Sequence, residues 1–138
     1  MALQFHPQRG TIVTVRFEPG FIAPEMIKTR PCIVLSTPQK HRPKLLTVVA
    51  LSTTPPHPVL PCHCEITIPM QMPTGWASTC WVKGDMVNTV GFHRSDLLKL
   101  GKDRDGRRMY QIMPLPDDLM RQVTNCVLAG LGVLPLAT

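Results

Sequence analysis

Two groups of side chains have the types and spacing to work on a phosphate diester. The first is Arg30 in Lys28-Thr29-Arg30-Pro31-Cys32-Ile33-Val34-Leu35-Ser36. Pro31 fixes its own φ near about −65° and pushes Arg30 into an extended conformation. Cys32 to Leu35 is an unbroken apolar run with β-branched Ile33 and Val34, the pattern of a strand buried on both faces. A guanidinium at the mouth of such a strand is rigidly mounted, and its planar fork of donors matches phosphate oxygens. Taken alone, Arg30 would also suit a solvated surface ion pair. The second group is Ser52, Thr53 and Thr54, which end the apolar run Leu45–Ser52 and precede Pro55, Pro56 and Pro58. Prolines that stiffen the exit place hydroxyl donors at a defined point on a rim, although Ser and Thr also close strands as plain turns.

Other reactive residues point less sharply. His41, His57 and His93 titrate near neutrality, but none sits in a motif that fixes a role. Cys62-His63-Cys64 gathers soft ligands. In a strand, however, His63 faces away from the two cysteines, and no second Cys/His pair with zinc spacing follows. The expectation is strand packing, with no metal and no cofactor. Asp85, directly after Gly84, suits a turn as well as a site.

The elements that must position these groups are mostly short strands. Thr11 to Phe17 alternates, with Ile12, Thr14 and Arg16 on one face and Val13, Val15 and Phe17 on the other. Glu18-Pro19-Gly20 breaks it, and Phe21 to Thr29, carrying Glu25, reads as a loop able to fold over a site. Arg30 to Ser36 is the second strand. Thr37 to Lys44, with Lys40, His41, Arg42 and Lys44, reads as a solvated hairpin tip. Leu45 to Ser52, His63 to Ile68 and Thr79 to Val87 are further strands, with a loop over Pro69 to Ser78. Asp105-Gly106 between apolar segments signals a hairpin joining Leu97–Leu100 to Arg107–Met113. Pro116 suits a first helical position, Asp117 and Asp118 complement the positive end of a helix dipole, and Leu119, Val123, Cys126 and Val127 recur at helical spacing. One helix over about 116–131 is expected. Short strands with Pro/Gly turns and one terminal helix predict a mainly β fold, a small, curved antiparallel sheet or barrel.

A chain of 138 residues fits one domain, 1–138, with residues 1–9 as a loosely held lead-in. The formal net charge of +6 suits a polyanionic partner, nucleic acid above all. Seven aromatic residues (two Trp, one Tyr, four Phe) are too few for a broad base-stacking sheet, so binding must lean on cations. No N-terminal secretory pattern and no apolar run of about 20 residues is present, which predicts a cytoplasmic protein without a membrane segment. The odd set of five cysteines agrees with reduced thiols there.

The order Gly10-x-Ile12-x-x-Val15-x-Phe17, a loop, Glu25, then Arg30-Pro31-x-x-Val34-Leu35-Ser36 resembles the MazF/PemK (Kid) family of type II toxin-antitoxin toxins. The resemblance implies an SH3-like barrel, usually a homodimer, that cleaves single-stranded RNA without a metal and is neutralised by a cognate antitoxin protein. It implies that Ser52, or Thr53 one step away, works with Arg30. It also implies a basic residue two positions before an aspartate, matched here by Lys83 and Asp85, where the PemK/Kid branch has arginine in place of Lys83. Metal-free cleavage needs a base for the 2′-OH, a cation for the developing charge and an acid for the leaving oxygen. Arg30 stays protonated at neutral pH, so charge stabilisation is its role. Asp85 is the implied base, Glu25 a second carboxylate near the motif, and Lys83 a phosphate neutraliser. Lys28, Thr29, Glu25 and His57 are expected to contact substrate. The alternative is a non-catalytic barrel that binds nucleic acid or a protein such as gyrase.

If the positive charge serves RNA, binding of an uncleavable single strand will weaken with added salt, with a log–log slope of about −0.7 per phosphate contact. Anisotropy titrations across salt concentrations measure it, and a flat response would make the charge incidental.

Overall fold

The computed structural model describes residues 2–133. Seven strands and one α-helix follow in chain order, with a short 3-10 turn at Phe92–Arg94: β1 (Ile12–Arg16), β2 (Thr29–Val34), β3 (Leu45–Ser52), β4 (His63–Thr67), β5 (Thr79–Gly91), β6 (Ser95–Lys102), β7 (Arg108–Gln111) and α1 (Asp117–Gly130). The strands form one antiparallel sheet in the order β4-β5-β3-β2-β1-β6-β7. The mainly β fold with a C-terminal helix therefore stands as expected.

Strand alternation fills both faces of this sheet. Ile12, Ile33, Val49, Leu51, Ile66 and Val82 form one apolar cluster with Met120, Val123 and Cys126 of α1. Val13, Val15, Phe17, Cys32, Val34 and Val48 form the other, covered by Leu3 and by partly buried Phe21, Met26 and Phe92. The division of Ile12 to Phe17 into two faces is thus realised with an apolar core behind each. The sheet also curls until its two edges meet. Buried Gln111, on edge strand β7, donates from Nε2 to the Gln71 carbonyl in the loop after edge strand β4, at 2.7 Å. A register shift in β3/β5 between Val49 and Ala50 adds the local bend that such closure needs.

The helix lies on β5 at a point that only glycine permits. A Cβ on Gly84 would stand 2.3 Å from the Cys126 carbonyl oxygen and 2.6 Å from that of Cys62. Gly130 repeats the approach from the helix side, where a Cβ would lie 2.7 Å from the Gly84 oxygen. Backbone therefore rests on backbone, and the apolar stripe of α1 reaches the first cluster.

Three details depart from the sequence reading. The lead-in is not loose over its described part: Leu3 is buried, its N–H bonds the Ser95 carbonyl, and His6 Nε2 meets Ser36 Oγ at 2.9 Å. Met1 and residues 134–138 of the expected domain lie outside the described residues. Strand β5 runs to Gly91 instead of Val87, because pairing of Leu45–Thr47 with Thr89–Gly91 extends a segment with weak alternation of its own. The helix is Asp117–Gly130, with Pro116 as its N-cap at ψ 157° and not its first helical residue.

Gly84→Ala is expected to destabilise the fold by about 3 kcal/mol or more, at or above the usual overpacking range, because the clash is with backbone that cannot rotate away. The urea midpoint measures this, and a midpoint equal to wild type would contradict the close approach.

Candidate active site

Because β2 and β3 are antiparallel, the start of β2 and the end of β3 lie together. Cys32 stands opposite Ala50, so the same register two residues along brings Arg30 level with Ser52. Here opens a cleft of about 570 Å³, whose lining includes Thr14, Thr29, Arg30, Ser52, Thr53 and Trp76. Leu51, Ile68 and Cys80 make its apolar floor. Ser52 Oγ accepts the Thr54 N–H at 3.1 Å, which fixes the strand exit and leaves the hydroxyl proton to be donated elsewhere. Thr53 is exposed at the rim.

Among the described residues Arg30 has no carboxylate partner and no side-chain hydrogen bond, whereas neighbouring arginines are committed. Arg16 pairs with Asp96 at 2.7 Å. Arg94 donates to the carbonyls of Arg16, Phe17 and Pro19 and lies 5.2 Å over the Phe21 ring. Arg9 binds the Leu35 carbonyl and Thr124. Half-buried Arg30, beside hydroxyls and an apolar floor, is thus a cation with its whole fork available.

The remaining sequence candidates lie outside this cleft. Lys83 pairs with Ala50, two residues along the ladder from Ser52 opposite Trp81, and so stands on the same sheet face as Ser52. Asp85 follows in the irregular stretch under α1, exposed, with Oδ1 3.8 Å from His63 Nε2. Glu25 Oε1 accepts the Ile22 N–H at 3.0 Å and closes its own loop. Lys28 is an exposed neighbour of Thr29, and His57 is exposed in the loop after Thr53 and Thr54. Among the described residues, no carboxylate or imidazole lines the cleft.

The cysteines behave differently from a plain strand pattern. Cys62 sits in a turn before β4, free of strand alternation, so its thiol, His63 and Asp85 have ligand atoms within 4.8 Å of one another. Against metal binding, His63 Nδ1 accepts the Leu60 N–H at 3.1 Å, which places the ring proton on Nε2, the atom facing Asp85. A ligand lone pair there would need that proton removed. Cys64 packs against Cys126 of α1; the hydrogen bond with Cys126, and then burial, push the Cys64 thiol up, while the same bond holds the Cys126 thiol below its ordinary range. Burial, then Glu65, pushes the Cys80 thiol up to about 11.

The profile of PemK-like, MazF-like toxins of type II toxin-antitoxin systems matches residues 8–130. The chain belongs to this family. No curated protein matches it in sequence. Among solved structures, MazF from Deinococcus radiodurans is similar at 21% identity, with 94% of this chain and 99% of that chain covered and a TM-score of 0.59. An endoribonuclease in complex with its cognate antitoxin, from a mycobacterial species, matches at 17% identity over 96% of this chain and all of that one, with a TM-score of 0.57. A second Deinococcus structure, of MazE–MazF, matches at 22% identity over 91% of this chain and 96% of that one, with a TM-score of 0.53. At these identities the likeness is one of fold. No helix among the described residues of this PemK/MazF-like chain is long and apolar enough to cross a membrane.

Sequence reading passed over Thr14 and Trp76, both of which line the cleft. Thr14 is one polar residue on an alternating strand, and only the register with Pro31 puts it beside Arg30. Trp76, next to Gly75 in a loop, was the available signal: a large aromatic held outside the core needs a reason.

Cys80 is expected to resist iodoacetamide at pH 8 in the folded protein and to react only as the pH approaches about 11, since the thiolate is the nucleophile. Mass spectrometry after timed alkylation checks this, and fast labelling at pH 8 would contradict it.

Proposed function

We propose that this toxin-family protein is a metal-independent endoribonuclease acting on single-stranded RNA, with Arg30 at its chemical centre. The observation that carries the reading is an arginine with every donor unspent, set beside Ser52 and Thr53 in an open cleft. In the proposed reaction the 2′-oxygen attacks phosphorus as the bond to the 5′-oxygen breaks, giving a 2′,3′-cyclic phosphate and a 5′-hydroxyl. The guanidinium accepts the charge that grows on the non-bridging oxygens, and it supplies two parallel donors where a lysine supplies a point charge. Ser52 and Thr53 orient the phosphate and the 2′-OH; Thr29 extends this polar edge.

The base role implied for Asp85 is not carried into the proposal, because Asp85 faces His63 outside the cleft. Water reaching the exposed rim carries the protons, and positioning with charge stabilisation supplies most of the rate. Lys83 neutralises a flanking phosphate from the next row of the same face. RNA as substrate, a cognate antitoxin, a homodimeric state and a cytoplasmic setting belong to the same proposal. They are supported by the family match and by its structural neighbours, among them an endoribonuclease in complex with its cognate antitoxin.

The lack of a carboxylate or imidazole among the described residues lining the cleft favours one second reading, a barrel that binds RNA or a protein such as gyrase without cutting. Incubating the purified protein with a long, weakly structured RNA in EDTA and sequencing the ends separates the two: cuts at one short motif support the nuclease, and intact RNA supports the binder. Given cleavage, Arg30→Lys is expected to lower kcat/KM by about 2–4 kcal/mol equivalent, as for loss of one oxyanion donor. Asp85→Asn should cost less than about tenfold, below the range of a positioned base. Wild-type turnover in Arg30→Lys would remove that residue from the centre, and a loss of about 10² or more in Asp85→Asn would restore Asp85 as the base.

A further inference from the structure

Trp76 borders two clefts at once. On one side lies the Arg30 cleft; on the other lies a smaller one of about 310 Å³ bounded by Trp76, Pro73, Asp96, Leu98 and Lys99. Thr14 borders both, so the clefts are neighbours sharing a Thr14 and Trp76 boundary. Trp76 is 42% exposed, an unusual exposure for a large aromatic residue unless something covers it.

The loop that carries Trp76 is pinned at several points. Ile68 N–H bonds the Ser78 carbonyl at its base, and Trp76 N–H bonds the Pro73 carbonyl across the turn at 3.1 Å. Met70 and Met72 pack on the first apolar cluster. Gln111, only 4% exposed, grips the Gln71 carbonyl with Nε2 and accepts the Met113 N–H with Oε1. A loop pinned in this way loses little backbone freedom when its aromatic residue meets a ligand.

We propose that Trp76 is a base-stacking wall, taking one unpaired base on its Arg30 side and a neighbouring base of the same strand on its Lys99 side. This rests on the RNA reading above and deepens it: the site accepts only strands whose successive bases can be parted by an aromatic plate, which excludes a duplex. Cations on each side, Arg30 and Lys99, stand where the phosphates of a strand crossing the wall would run. Stacking is indifferent to base identity, so Trp76 sets single-strand selectivity and register, not sequence.

The test uses the full chain, with anisotropy of a labelled random pool of uncleavable 2′-O-methyl RNA, the same pool as duplex, and an abasic sugar-phosphate chain. Wild type is expected to bind the single strands well above the duplex. Trp76→Ala should weaken the single strands roughly 10- to 100-fold, as loss of base–aromatic stacking does. Its salt slope should stay unchanged, since no phosphate contact is lost, and its affinity for the abasic chain should equal that of wild type. Trp76→Phe keeps a stacking face and should stay within about threefold, with both variants matching wild type in circular dichroism. Wild-type affinity in Trp76→Ala, or an equal loss on the abasic chain, would overturn the wall while leaving the RNA reading intact. Failure of wild type to bind any single strand would overturn both.

Discussion

Pairing between β2 and β3 is the constraint on which the candidate site depends. Arg30 and Ser52 are distant in sequence and meet because Cys32 is held opposite Ala50. A slip of one residue would turn every side chain of one strand to the opposite face, moving Ile33 or Val49 out of the cluster it fills and separating the guanidinium from the hydroxyl row. The apolar clusters on both faces prevent that slip, since each strand must offer a buried side chain to each side. Core packing and site geometry are therefore one requirement. Residues such as Val34 and Val48, which touch no substrate in the proposed reaction, fix where the cation stands.

The same sheet must also curl. Its edge strands β4 and β7 are far apart in strand order, yet Gln111 ties β7 to the loop after β4, and Ile66 shares a cluster with Leu98 of β6. Curling folds that loop over the end of β2 and β3 and converts a strand end into a cleft. Burying a glutamine is costly unless both ends of its amide are satisfied, and here both are. The device holds a loop in place without adding apolar surface to the rim. Helix α1 packs on β5 through the Gly84 contact, and none of its residues lines the Arg30 cleft.

Charge is distributed by the same logic. Arg9, Arg16 and Arg94 use their donors on carbonyls, a hydroxyl and a carboxylate, tying loops to strands. Arg30 is left with none of these partners in a partly buried cleft, where an anion would meet less screening than at the surface. The net charge draws a polyanion from a distance, and the cleft then offers geometry. The thiols take no part in this. Cys32 and Cys80 are kept neutral chiefly by burial, and Cys64 with Cys126 joins edge strand to helix.

What the sequence determined by itself was local. Alternation from Ile12 to Phe17, the apolar run after Pro31, Asp105-Gly106 and the helical spacing of Val123, Cys126 and Val127 specified strands, a hairpin and a helix within a few residues of where they lie, because backbone preference and side-chain period act over short stretches. Arg30 was legible for the same reason, as a proline-fixed cation at a strand mouth. Tertiary structure decided everything that needs two distant segments. It joined Arg30 to Thr14 and Trp76, set Asp85 against His63 and away from the cleft, and brought Cys62 into that pair from a turn where strand alternation does not apply. Those outcomes follow from register, from a register shift between Val49 and Ala50, and from a glycine that lets a helix touch a strand. Each is a property of pairs of backbones, and no single stretch of sequence carries it.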